Sequence, residues 1–218
     1  MIDVHFVLLA MVITLAGIAL YARDTVRGLT EPNRVTWIMW AIAPMLAFVS
    51  ELHQGVGLQA AMTFMYGFCP LVVLAASFVN TRSVWHLGPF DIGCGVASAG
   101  GFALWLITAN DTVALASFIV ADLLAGLPTI VKAWKQPETE SSSAFITGSL
   151  ASLITLATVT TWTSAQVAFP TFVLIMNLAL VTLVAGRLGP RIRREAPEPE
   201  IAPLERVIGG ARGVGRDA

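Results

Sequence analysis

The sequence predicts an all-α integral membrane protein with seven transmembrane helices, set as two parallel three-helix bundles joined by a linker helix in a 3+1+3 plan. Three observations predict it. Charge is scarce, seven apolar stretches approach the length of a bilayer crossing, and the first three stretches superpose on the last three at a constant offset.

The 218 residues are 56% hydrophobic and carry 13 basic and 14 acidic side chains, or 12% charged. A soluble domain carries about 25%. Mean hydropathy is +0.76, more apolar surface than a chain this size can hide from water. The net charge of −1 leaves no basic excess to neutralise phosphates, which excludes nucleic acid as a partner. Cys69 and Cys94 both lie in apolar runs, so no disulfide framework is expected. The chain lacks HExxH, GxSxG, CxxC and phosphate-loop motifs, so neither enzyme, metal nor cofactor is expected.

The spans are read at 4–22, 35–50, 59–79, 89–109, 112–132, 143–163 and 167–186. A crossing needs about 20 apolar residues, and lipid forces helices because each backbone polar group must be satisfied within the segment. The first span follows no basic residue and no small-residue cleavage site stands out, so a removed signal peptide is not expected. The second is short, and Ser50 to Gln54 extend it into the interface. The fourth opens at Gly88-Pro89 with Asp91 in its first turn, where a carboxylate offsets the helix dipole. Its Gly93, Gly95, Gly100 and Gly101 give a small-residue face for close packing. The sixth is rich in Ser and Thr, at irregular spacing. The plan divides the chain into 1–80, first bundle; 81–111, linker helix; 112–186, second bundle; and 187–218, a flexible cytoplasmic tail rich in Arg, Pro and Glu.

Seven spans place Arg23, Arg27 and Arg34, then Arg82, then Lys132 and Lys135, then the seven tail arginines on one side. That is every basic residue in the chain. The opposite side holds Asp3, Glu51, His53 and Asp111. The positive-inside rule puts the N-terminus outside and the C-terminus in the cytoplasm. The expected location is a bacterial inner (plasma) membrane.

At an offset of 109, Leu15-Ala16-Gly17 falls on Leu124-Ala125-Gly126, Thr30-Glu31 on Thr139-Glu140, and Arg23 on Lys132. The three hydropathy blocks coincide without a gap. The single helix between them makes both halves enter the membrane in the same direction, a parallel repeat.

The 3+1+3 plan and the stretch Gly126-Leu127-Pro128-Thr129-Ile130-Val131-Lys132, followed by Pro137, Glu138, Ser141, Ser142 and Ser143, resemble the SWEET and SemiSWEET sugar transporters and the wider PQ-loop superfamily. The family has Pro-Gln in the first helix of a bundle, a Lys soon after, and a Ser-rich turn. Here Thr129 stands for the Gln, and Ala19 occupies the proline position of the first half. The resemblance implies a small-solute carrier whose pocket uses a Trp and an Asn in each half. Trp162 and Asn177 match in the second half; His53 and Phe68 occupy those positions in the first.

Asp122 lies mid-span, where a lone carboxylate costs several kcal/mol unless paired, hydrated or protonated. It is read either as a proton-coupling or substrate-binding acid in a wet cavity or as a hydrogen-bonded bridge between helices. Asn177 fits a solute hydroxyl or a neighbouring helix. Trp162 fits the outer mouth of the pocket or the interfacial belt. Trp40 sits one turn from Trp37, and such a pair can sandwich a ring. It resembles the nicotinamide-riboside type of vitamin carrier, whose orientation is opposite. Pro128 with Gly126, and likewise Pro44 and Pro70, are read as hinges or fixed bends. The candidate substrate-binding set is therefore Asn177, Asp122, Trp162 and Trp40. The expected function is transport of a small-molecule substrate by alternating access. The alternative is a non-transporting scaffold or sensor acting through its tail. Membrane lipid and a small solute are the expected partners, and a homo-oligomer is left open.

Overall fold

The computed structural model describes residues 3, 5–53, 59–79, 85–108, 110–159 and 162–195. Arg82 and the tail from 196 onward, and the side chains of Glu51, His53 and Asp111, lie outside the described residues. Among the described residues the chain forms α1 (Phe6–Val26), α2 (Arg34–His53), α3 (Gln59–Val79), α4 (Pro89–Ile107), α5 (Asp111–Lys135), α6 (Ser143–Thr158), α7 (Ser164–Gly186) and α8 (Leu188–Glu195). A 3-10 turn at Pro137–Thr139 precedes α6, and no strand is present among these residues.

By length and composition five helices can cross a membrane: α1, α3, α4, α5 and α7. Their outward faces are apolar: Val96 and Ile107 on α4 and Ile175 on α7 are more than half exposed. Such a surface belongs in lipid, and the chain is a multi-pass membrane protein. The apolar stretches of α2 and α6, Arg34–Val49 and Ser143–Thr158, are shorter. At 16 residues, α6 rises about 24 Å, less than the ~30 Å hydrocarbon core. It stops at Thr158, not at 163 as the sequence reading has it, because Val159 turns extended. The run from Thr158 to Thr161 is wholly β-branched, the residue class that loses most rotamer freedom in a helix.

Helix pairing repeats between the halves. α3 packs against both α1 and α2, and α7 packs against both α5 and α6. Across the molecule α1 meets α6 and α2 meets α5, while α4 lies mainly along α5. Exchanging the halves maps one cross-pair onto the other. The offset of 109 holds at the turns: α1 ends at Val26 and α5 at Lys135, and α2 begins at Arg34 and α6 at Ser143.

The repeated Leu-Ala-Gly explains the close cross-pairs. A Cβ on Gly17 would overlap the Thr147 side chain of α6. One on Gly126 would come 2.5 Å from Met176 Cε and 3.0 Å from Trp40 of α2. Each repeat glycine thus lets its helix approach the opposite half. Ser143 Oγ donates to Gly17 O at 3.1 Å, and Trp40 Nε1 donates to Asp122 O at 3.3 Å. Tyr21, Trp37, Met65, Phe145, Met176 and Leu180 meet in the core between the halves.

Asp91 caps α4 by accepting Gly88 N at 2.6 Å, and it also accepts Asn33 Nδ2 at 2.8 Å, tying α4 to the start of α2. Of the α4 glycines, Gly95 faces Val35 and Gly101 faces Ala121. The segment expected to be a flexible tail from 187 instead begins with α8. Arg187 turns left-handed at φ 48°, Pro190 sits in the first turn where its missing N–H costs nothing, and Gly189 lies against the Trp134 carbonyl. Arg193 donates to Lys135 O at 2.9 Å.

Candidate functional site

A cavity of about 110 Å³ opens at the junction of the halves, room for several waters or a compact solute. Every one of α1, α2, α3, α5, α6 and α7 contributes to its wall, and α4 contributes nothing. Trp37, Trp40, Tyr66, Phe145 and Phe169 supply an aromatic lining. Trp37 and Trp40 meet edge-to-face with centroids 5.5 Å apart.

Three of the four sequence-predicted binding residues come together here: Asn177, Asp122 and Trp40. Asp122 is the sole contribution of α5 and is 8% exposed. Its carboxylate takes no hydrogen bond and no ion pair from any described residue; only its backbone carbonyl is used, by Trp40. Asn177, a lining residue, donates Nδ2 to Val173 O at 2.9 Å. Gly148 makes room for it, since a Cβ there would come 2.9 Å from Nδ2. Trp37 Nε1 and the Tyr66 hydroxyl are buried without a partner among the described residues.

The fourth residue, Trp162, lies elsewhere. It is 71% exposed in the α6–α7 connection and does not line the cavity. The early end of α6 removes it from the helix that the sequence reading placed it on. Pro44 and Pro70 line the cavity. Each withholds the N–H that would bond the carbonyl four residues back, namely those of Trp40 and Tyr66, two lining residues. Gly126 touches Trp40 and Met176 beside the cavity, and Pro128 is fully buried in α5. Pro170 within α7 is a fourth helical proline of a membrane span that sequence reasoning passed over.

Toward the basic-rich end a second cluster closes the junction. Lys132, read from sequence as a loop charge, lies in the last turns of α5 and is 0% exposed. Its Nζ donates to Glu140 Oε1 at 2.9 Å, to Thr139 O at 3.1 Å and to Glu31 O. An ammonium has three protons, so all are used. Glu140 Oε2 accepts the Tyr21 hydroxyl at 2.5 Å. The connections themselves are joined, with Glu31 N donating to Thr139 O at 2.9 Å and Ser141 Oγ to Asp24 at 3.1 Å. One buried ammonium therefore clamps the α1–α2 turn of one half to the equivalent α5–α6 turn of the other. Tyr21 joins the clamp to two lining residues, its ring 5.0 Å from that of Trp37 and 6.2 Å from that of Phe145.

Sequence reasoning used Lys132 for topology and missed its burial. The signal was available: the repeat superposes Thr30-Glu31 on Thr139-Glu140, the two places where the ammonium is held. Among the described residues no group of three His, Cys, Asp or Glu side chains is gathered to hold a metal. Compared with protein-family models, curated proteins and solved structures, the chain gives no match.

Proposed function

We propose that the chain is a membrane carrier of a small solute that works by alternating access between two parallel three-helix bundles, α1–α3 and α5–α7, with α4 as the linker. This is the seven-span, SWEET-like plan, with α2 and α6 as the two short spans. The observation that carries the reading is the cavity at the junction, walled by all six bundle helices and by none of the linker. A site shared between halves changes shape when the halves rock, whereas a site within one bundle does not.

The clamp is the gate on the basic-rich side, which the charge partition makes cytoplasmic. Solute held near Asp122 and Asn177 reaches that side only when Lys132 and Tyr21 release their partners across the junction. A buried ion pair suits this role. The desolvation of its ions roughly offsets their attraction, so parting them into water costs little while the closed geometry stays well defined. Pro44 and Pro70, at the cavity wall, are the bends about which α2 and α3 open.

Cys69 lines the cavity and Cys94 does not, so a Cys94→Ser variant reports access to the site. In oriented vesicles Cys69 reacts with impermeant maleimides from either face in turn, and purified protein in liposomes takes up at least one compound from a panel of sugars, amino acids, amines and vitamins. Absence of flux for the whole panel, with Cys69 reactive from one face alone, overturns the reading.

A further inference from the structure

The reading above leaves the solute's chemistry open, and the lining narrows it. Asp122 supplies the cavity's one carboxylate, and no Lys, Arg or His lines the wall. The nearby basic residue on the same helix, Lys132, is committed to Glu140 and two carbonyls. Among the described residues nothing therefore balances Asp122. An unpaired carboxylate at this depth costs several kcal/mol, and that cost is recovered when a cation enters.

The rest of the wall favours the same partner. Trp37, Trp40, Tyr66, Phe145 and Phe169 present aromatic rings to one small volume. Aromatic faces attract ammonium groups, Trp most strongly, and the attraction grows when the cation is desolvated. Met65 and Met176 add polarizable sulfur. Asn177 adds an amide to the wall, and Pro44 and Pro70 withhold the helical donors of the Trp40 and Tyr66 carbonyls on two lining residues. An anion would meet Asp122 and acceptors without a counter-charge. A neutral polyol would leave the carboxylate uncompensated.

We propose that the cavity binds a small organic ammonium compound, its positive charge on Asp122 and its body against the Trp37–Trp40 wall. The proposal rests on the carrier reading for its purpose, but binding can be measured without transport.

The test uses full-length protein in detergent, with affinity read from quenching of tryptophan fluorescence and from ligand-induced thermal stabilisation. The probes are choline against its neutral isostere 3,3-dimethylbutan-1-ol and the anion 3,3-dimethylbutyrate, and benzylamine against benzyl alcohol and benzoate. At least one ammonium probe is expected to bind tenfold or more tighter than its neutral partner, with its anion not binding. Asp122→Asn is expected to remove that tenfold preference. Trp40→Leu is expected to weaken the cation at least tenfold, an independent check should Asp122→Asn fold poorly. Equal binding of cation and isostere, binding of neither ammonium probe, or full cation affinity in Asp122→Asn overturns the proposal. Flux of neutral sugars with no ammonium binding sinks this inference and leaves the carrier standing. Ammonium binding with no flux of any compound does the reverse.

Discussion

Helix α5 carries two buried ionisable side chains, Asp122 and Lys132, at 8% and 0% exposure. Ten positions apart, they are about 15 Å from one another along the axis. Their surroundings are opposite. Lys132 has every proton placed on an oxygen, and its anion Glu140 is shared with Tyr21. Asp122 has an aromatic cavity before it and no partner at its carboxylate among the described residues. Burial alone therefore does not mark a binding group. A satisfied charge holds elements in one arrangement, and an unsatisfied one beside a cavity is ready for something that arrives. The two surroundings touch: Tyr21, hydrogen-bonded to Glu140 of the clamp, is packed on the Trp37 ring of the cavity.

The sharpest break of this contrast is Lys132→Ala. It leaves Glu140 without its counter-ion and the Glu31 carbonyl without this donor, while Thr139 O keeps Glu31 N, and losing one member of a buried pair costs about 3–5 kcal/mol. The expected outcome is a large fall in melting temperature in detergent, together with faster labelling of Cys69 from the face that bears the clamp. Lys132→Met combined with Glu140→Leu removes both charges and is expected to recover most of the melting temperature while Cys69 labelling stays fast. A double variant as unstable as the single one would show that the ion pair is not what the single variant lost.

Tyr21→Phe tests the link between clamp and cavity. The ring and its packing stay, and one hydrogen bond to a charged group goes, worth about 1.5–3 kcal/mol. Melting temperature falls less than in Lys132→Ala, and Cys69 labelling from the face that bears the clamp rises to an intermediate rate. Labelling unchanged from the parent would separate Tyr21 from the gate.

The repeat glycines give a smaller, graded effect. Gly17→Ala drives a methyl into Thr147 next to its α6 backbone, an overpacking worth about 1–3 kcal/mol. Gly126→Ala meets chiefly the mobile end of Met176, a side chain that repacks easily, and costs under about 1.5 kcal/mol. Thermal melts of the two variants compare them directly; a larger loss at Gly126 would show that Met176 of α7 and Trp40 of α2 give way less readily than Thr147.

The particular residues show what the sequence makes legible. Helix positions follow from hydropathy because lipid imposes one solution on every apolar run, and α1 to α7 fall within a few residues of the expected ranges apart from the early end of α6. Asp122, Asn177 and Trp40 are legible as outliers, polar or amphipathic groups in apolar helices, and they share a cavity. Trp162 misled because the span was extended past Thr158, where α6 ends and Val159 turns extended. Lys132 misled differently. A lysine at a span end reads as solvated, and only the fold reveals that an acid eight residues on, returned by the turn at Pro137–Thr139, lies 2.9 Å away. Likewise α8 is hidden in a tail whose composition reads as solvent-exposed.

Asp122→Asn is the smallest stability change and the most informative. The substitution keeps shape and removes a charge that no described side chain balances. Since the parent bears the desolvation of an unpaired carboxylate, the variant without ligand is expected to melt at the same temperature or higher, the reverse of Lys132→Ala. In saturating choline the parent should gain melting temperature by mass action and the variant should not. The two α5 charges then differ in sign of effect as well as in size. If Asp122→Asn instead lowered the melting temperature as far as Lys132→Ala does, the carboxylate would be a structural group with a partner, and the contrast along α5 would collapse.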